Sequence, residues 1–295
     1  MRRSVAQVLA RFDEALGLER VPVSAARTDR AFAPAELPDA VTPTQAAAAP
    51  RSQGEDPAPR PDMRQAAAEP RAPRIDPSAI ELLPAPGDSD EKARRLDEIR
   101  ERHAATCPHC TRARGHRNMV FGEGNPDAEI VFVGEAPGET EDEQGRPFVG
   151  PAGQKLDEMI RAMGLRREDA YIANVLKTRP PDNRTPLPEE VERCGPFLIE
   201  QLLAIRPKAI VALGGPATKL VTGTDQGITR LRGTWQSWTP PAGSDCPVIP
   251  VMPTYHPSYV LRNYTPKVRG EVWSDLKRVL ELLGRRPGGA NASES

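Results

Sequence analysis

The sequence is short of aromatic residues: Phe, Trp and Tyr make up 4% of its 295 positions, against 33 prolines. A chain with so few large apolar side chains and so much proline cannot build a core along its whole length. No apolar run reaches the length of a bilayer span, so no membrane partner is expected. The first residues, Met1 to Glu14, hold no continuous apolar segment, so no signal peptide is expected and the protein is placed in the cytoplasm. Charge of either sign is not in excess. A formal net charge of -1 excludes a globally basic surface, and any grip on nucleic acid must be local. There are 4 cysteines. Without a secretory signal they point to a reducing compartment, where Cys107-Pro-His-Cys110 suits a metal or cluster half-site better than a disulfide.

Residues 4–17 carry Val5, Val8, Leu9, Phe12 and Leu16 at helical spacing. Such a helix forms only partly in water; as a tethered docking helix it would meet a protein partner. From about Val21 to Asp88 the chain is Ala, Pro, Arg, Asp and Glu without periodicity, which reads as a disordered linker. The expected organisation is a disordered tail over 1–89, one domain over 90–285 and a frayed tail over 286–295. Within the domain, strands alternate with helices. Helices are expected over Glu91–Ala105, Pro188–Ile205, Pro216–Val221 and Val268–Leu283, and strands over Glu129–Gly134, Ala170–Val175, Lys208–Leu213 and Val248–Met252. Leu231 to Trp238 reads as a hairpin arm with the region before Cys246. Short apolar runs between amphipathic helices imply an α/β fold: three layers, α/β/α, around a central, mainly parallel sheet.

Ligands of such sheets bind beyond the carboxyl ends of the strands. Three loops follow apolar strands directly: Gly134–Gly150, Asn174–Pro186 and Met252–Arg262. Each mixes stiffening prolines with polar groups. The first is not a dinucleotide fingerprint, since Gly134-x-x-x-Gly138 has the wrong spacing, and no G-K-[ST] follows for a phosphate loop. Its carboxylates would repel a phosphate, so a neutral group is the expected ligand. His256, the only histidine after residue 116, sits at a strand end before Pro257, where a stiff backbone would aim it.

Five motifs occur in order: Gly134-Glu-Ala-Pro-Gly138, Gly145-Arg-Pro-Phe-Val-Gly150, Asn174-Val-Leu-Lys177, Asn183-Arg-Thr-Pro186 and His256-Pro-Ser258. Together they resemble the family 4 uracil-DNA glycosylases, iron–sulfur enzymes of the uracil-DNA glycosylase superfamily, over about Cys107 to Leu283. The resemblance implies a monomeric enzyme that acts on DNA containing uracil. The base is flipped out, its N-glycosidic bond is hydrolysed and an abasic site is left, which starts base-excision repair. It implies that Phe148 stacks on the uracil, that Asn174 reads its edge, and that Gly134 and Ala136 line its pocket. Glu135 and His256 are the implied catalytic pair, with Glu141 and Asn183 as secondary candidates. Lys177, Arg179, Arg184, Ser258 and Arg262 are candidates for DNA contacts, and Tyr259, Val260 and Leu261 for a wedge into the vacated stack.

The family's cluster needs four cysteines. Cys107, Cys110 and Cys194 match, and the remaining position is Thr178, a poor iron ligand. The implied [4Fe-4S] cluster therefore draws a last ligand from Cys246, His109 or outside the chain, or is three-iron, or is absent. Zinc with mixed Cys/His ligation also suits these residues. Two other functions stay open: an inactive or polymerase-associated DNA-binding module, and a glycosylase for another deaminated base.

Overall fold

A computed structural model describes residues 75–82 and 84–287. The expected helix at 4–17, the linker before residue 75 and the end of the C-terminal tail lie outside the described residues. The chain runs α1 (Ser89–Thr106), β1 (Glu123–Gly124), β2 (Ile130–Gly134), α2 (Glu139–Gln144), α3 (Pro151–Ala162), β3 (Tyr171–Asn174) and α4 (Pro188–Ile205). It continues with β4 (Ala209–Leu213), α5 (Gly215–Thr222), α6 (Ile228–Leu231), β5 (Gln236–Trp238), β6 (Ile249–Thr254), α7 (Pro257–Arg262) and α8 (Pro266–Leu282).

The sheet order is β1-β3-β2-β4-β6-β5. Strands β3, β2, β4 and β6 are parallel, and the edge strands β1 and β5 pair antiparallel. Every residue of β2, β3 and β4 is buried, as expected of strands covered on both faces. Alternate residues feed two cores. Val131, Val133, Ala173, Ile210 and Ala212 pack with α1 and α4 through Leu96, Ile99, Leu198 and Leu202. Ile130, Phe132, Ile172, Val211 and Leu213 pack with α3 and α8 through Leu156, Met159, Leu276 and Val279. This is the three-layer α/β arrangement that the alternation of elements implies. No helix among the described residues is long and apolar enough to cross a membrane.

Local chemistry sets the helix ends. Pro188 fills the first position of α4, where a missing N–H costs nothing, and Glu189 and Glu190 complement its positive end. Thr265 caps α8 by accepting from Val268 N–H.

Three features differ from the expectations. The Gly134–Gly150 segment contains helix α2, because Glu141 and Asp142 bind backbone N–H groups that a solvated loop would leave to water. Residues 231–238 do not pair with the stretch before Cys246; β5 pairs with β6 instead. The packed chain also starts before residue 90: Ile80 is buried, Ile75 lies against Gly195, and Glu81 N–H donates to Glu200 Oε1 at 2.8 Å.

Candidate active site

From β2 the chain moves first to β3 on one side, then crosses to β4 and β6 on the other. The crevice of an open α/β sheet lies at such a switch, beyond the strand ends. Here a cleft of about 550 Å³ opens at that place. It is lined by Glu135 and Ala136 after β2, Asn174 at the end of β3, Gly214 after β4, and Tyr255 and His256 after β6. Phe148, Glu141, Asn183, Arg184, Ser258 and Arg262 complete the wall.

Asn174 is 1% exposed, and neither its Oδ1 nor its Nδ2 has a hydrogen-bond partner within the protein. A buried amide left unpaired costs free energy unless a ligand completes it. Phe148 lies alongside. Its backbone φ is 51°, a strained value for a residue with a side chain, and such strain collects at functional sites. The turn is held from behind. Arg167 donates to Pro147 O at 2.6 Å and to Phe148 O at 3.1 Å, and pairs with Asp157 at 2.6 Å. Gly134 leaves room for both groups: a Cβ there would stand 2.3 Å from Asn174 Oδ1 and 2.4 Å from the Phe148 ring.

The His256 ring lies 5.7 Å from that of Phe148. As the N-cap of α7, His256 accepts at Nδ1 from Ser258 N–H (3.2 Å), with Ser258 Oγ at 2.8 Å. A neutral imidazole has one donor and one acceptor, so the proton sits on Nε2. Burial pushes its pKa down to about 4, so the ring is neutral at physiological pH. Glu135 is partly buried, and desolvation raises its pKa above the usual carboxylate value.

Several expected residues do other work. Glu141 lines the cleft, but its Oε1 accepts from Val149 and Gly150 N–H at 2.9 and 2.8 Å, and its Oε2 from Gly138 N–H at 3.2 Å. It fixes the turn that carries Phe148. Lys177 does not face the cleft: it is fully buried, and its Nζ donates to Asn174 O at 2.8 Å and to Gln201 Oε1 at 2.5 Å. Desolvation pushes its pKa down to about 8. It cannot reach a DNA phosphate, and it braces Asn174 from behind instead. Arg179 bonds to Asn183 Oδ1 at 2.7 Å, and Arg184 pairs with both Glu190 oxygens. Ser258 faces His256, while Arg262 is exposed at the end of α7. Of the wedge candidates, Tyr259 and Leu261 are exposed and Val260 is buried in the core.

Away from the cleft, Cys107, Cys110 and Cys194 converge with His103, their donor atoms all within 4.8 Å of one another. These residues together can hold a metal. Hydrogen bonds from Cys110 and Cys194 hold the Cys107 thiol far below its usual range, and the same contact pushes Cys110 up to about 12. The sequence reading missed His103 and Arg167. The spacing of His103, four residues before Cys107, was a signal; Arg167 had none, since its partners lie 10 to 44 positions away.

The sequence model of the uracil DNA glycosylase superfamily matches residues 121–277. A type-4 uracil-DNA glycosylase of Thermotoga maritima is 48% identical over 189 residues, which is 64% of this chain and 95% of that protein. One from Archaeoglobus fulgidus is 47% identical over 198 residues, 65% of this chain and 94% of that protein. A type-5 uracil-DNA glycosylase of Pyrobaculum aerophilum is 37% identical over 113 residues, 33% of this chain and 50% of that protein. The chain belongs to the uracil-DNA glycosylase superfamily and, within it, to the type-4 uracil-DNA glycosylases.

Proposed function

We propose that the protein removes uracil from DNA by hydrolysing the bond between base and sugar, leaving an abasic site. The observation that carries the reading is the Asn174 amide, buried at the cleft with donor and acceptor both unpaired. Uracil presents a carbonyl, O4, beside a donor, N3–H. Nδ2–H and Oδ1 of one amide match that pair, whereas cytosine reverses it. The Phe148 ring offers a face for stacking, which every base can use, so the amide supplies the selection.

Cleavage leaves negative charge on the departing base and positive character on the sugar. His256 is neutral, with Nε2–H available, so it stabilises the anion at O2 as a hydrogen-bond donor. Glu135 lines the same cleft and would orient the attacking water, its charge available to the developing sugar cation. Desolvation strengthens that attraction. Arg184, Arg262 and Asn183 line the cleft and would hold the phosphates on either side of the flipped nucleotide, with Arg179 bonded to Asn183 beside them. Arg184 does so while paired with Glu190, which fixes its fork.

The type-4 resemblance implies a [4Fe-4S] cluster, and three buried thiols with a histidine fit a thiolate-ligated centre. Cys107, Cys110 and Cys194 would be ligands of such a centre. Such a centre ties the end of α1 to α4 and supplies no reacting atom, since none of its donors lines the cleft.

The test is incubation of the full-length protein with uracil-containing single- and double-stranded oligonucleotides without magnesium, then alkaline cleavage of the product. Strand scission at the uracil is the expected result. Intact strands at stoichiometric folded protein refute the reading, and hypoxanthine or xanthine oligonucleotides in parallel show whether another base is the substrate.

A further inference from the structure

The family position for a last cysteine is Thr178, yet the three remaining cysteines still converge. Thr178 Oγ1 is 3.4 Å from Cys110 Sγ and donates a hydrogen bond to it. His109 Nε2 stands behind that hydroxyl, 3.5 Å away. Neither His109 nor Cys246 belongs to the tight set of His and Cys donors, and the Thr178 hydroxyl, which keeps its proton, donates to Cys110.

His103 does belong to it. It ends the last turn of α1, and Cys107 caps that helix by donating its N–H to His103 O. Residues four apart share a helix face, so both side chains point to the same spot. His103 is fully buried, and its Nε2 is 3.6 Å from Cys194 Sγ. The Cys110 and Cys194 sulfurs are 3.5 Å apart. A tetrahedral ion with bonds of about 2.3 Å to sulfur and about 2.0 Å to nitrogen holds its donors roughly 3.5–3.8 Å apart. The Cys110–Cys194 and Cys194–His103 contacts have that size, within a set whose donors all lie inside 4.8 Å. An iron cube seats each donor on its own iron and spreads them further.

The second ring nitrogen sets the tautomer. Nδ1 of His103 lies against Met119 Sδ, a sulfur with no proton to give. The contact works only if Nδ1 carries the hydrogen, which leaves the lone pair on Nε2, the nitrogen facing the thiols. Phe197, edge-on at 4.7 Å, fixes the ring. Lys177 is fully buried near the three sulfurs and offsets the negative charge that several thiolates bring to one metal centre.

We propose that His103 Nε2 is the fourth ligand of a metal centre completed by Cys107, Cys110 and Cys194, and that Thr178 is not a ligand but a hydrogen-bond donor to Cys110. The centre stands apart from the cleft, so the inference does not depend on the glycosylase reading.

The experiment purifies the full-length protein without oxygen, as wild type and as His103→Ala, His103→Cys and Thr178→Ala. Zinc, iron and acid-labile sulfide are measured per chain, and retention is followed against a competing chelator. The wild type is expected to carry a stoichiometric centre. His103→Ala should weaken retention beyond the roughly hundredfold typical of a lost outer partner, and Thr178→Ala by about tenfold or less. His103→Cys should restore retention. In the cobalt-loaded form its sulfur-to-metal charge-transfer band should grow as the fourth thiolate joins, a readout that holds even if the alanine variant fails to fold. Zinc without sulfide marks a single ion, and iron with sulfide a cluster; the dependence on His103 is required in both. Wild-type retention in His103→Ala, an unchanged cobalt band in His103→Cys, or a wild type that takes up neither zinc nor iron with sulfide overturns the proposal.

Discussion

Gly134→Ala tests the geometry of the base pocket with a single methyl group. The new Cβ would stand 2.3 Å from Asn174 Oδ1 and 2.4 and 2.7 Å from two ring atoms of Phe148. Ordinary contacts lie more than an ångström further out, so both groups must move by about that much. The ring has somewhere to go, because it borders the open cleft. The stability loss should therefore stay near the low end of the roughly 1–3 kcal/mol usual for overpacking. Activity has no such escape, since the methyl group displaces the stacking face and the reading amide together. A misplacement of about 1 Å costs on the order of a hundredfold in rate, or about 2.7 kcal/mol of transition-state stabilisation. Gly153→Ala is the contrasting variant. Its Cβ would meet the carbonyl of Phe148 at 1.9 Å, and backbone cannot swing aside, so this variant should lose stability as well as rate. Single-turnover kinetics on a uracil oligonucleotide, paired with thermal unfolding, separate the two effects. A Gly134→Ala protein within threefold of wild-type rate would show that Asn174 and Phe148 do not form the base pocket.

His256→Ala and Asn174→Ala should each lower the single-turnover rate by roughly a hundred- to a thousandfold, the usual value of one donor aimed at a developing anion; near wild-type rates would remove them from the reaction. Burial keeps His256 neutral down to about pH 4, so the acid limb of kcat/KM should belong to Glu135, whose pKa is raised, and Glu135→Gln should abolish that limb. The same depressed histidine affects stability with a definite sign. An unfolded histidine takes up a proton near pH 6.5, the buried one only near 4, so the favourable contribution present above 6.5 is lost as pH falls toward 4. Urea unfolding of wild type and His256→Asn at pH 7 and pH 5 should show a smaller loss in the variant. A chain starting at Ile75 should unfold at the wild-type temperature, whereas one starting at Ser89 loses the burial of Ile80 and the Glu81 bond to Glu200, about 1.5–3 kcal/mol for the side chain alone. Equal unfolding temperatures would show that residues 75–88 add nothing to the domain.

The parts of the molecule that the sequence disclosed are those governed by short-range rules. A fully apolar run between turn residues has one home, a strand covered on both faces, so β2 and β4 were legible. Pro188 marked the start of α4 because only a helix's first turn tolerates its missing N–H. The cleft followed from topology, since the three loops had to meet beyond the strand ends. What stayed hidden were the side chains whose partners lie far along the chain. Lys177 sits in a loop rich in Lys, Arg and Asn, and such loops usually face solvent. Here Val175 and Leu176 keep bonding to Gly134 and Glu135 of the neighbouring segment, so the chain stays inside the domain through Thr178 and carries the lysine with it. The anchoring roles of Glu141 and Asp142 were hidden because the N–H groups they accept from, those of residues 117–118, 138 and 149–150, are invisible to spacing. The metal site shows the same limit most sharply. Matching positions along the chain asks what stands where a cysteine belongs, and finds Thr178. A metal asks only which donor atoms converge, and a helix can deliver one from four residues upstream of Cys107. His103 therefore enters the proposed centre through the fold's geometry rather than through the motif.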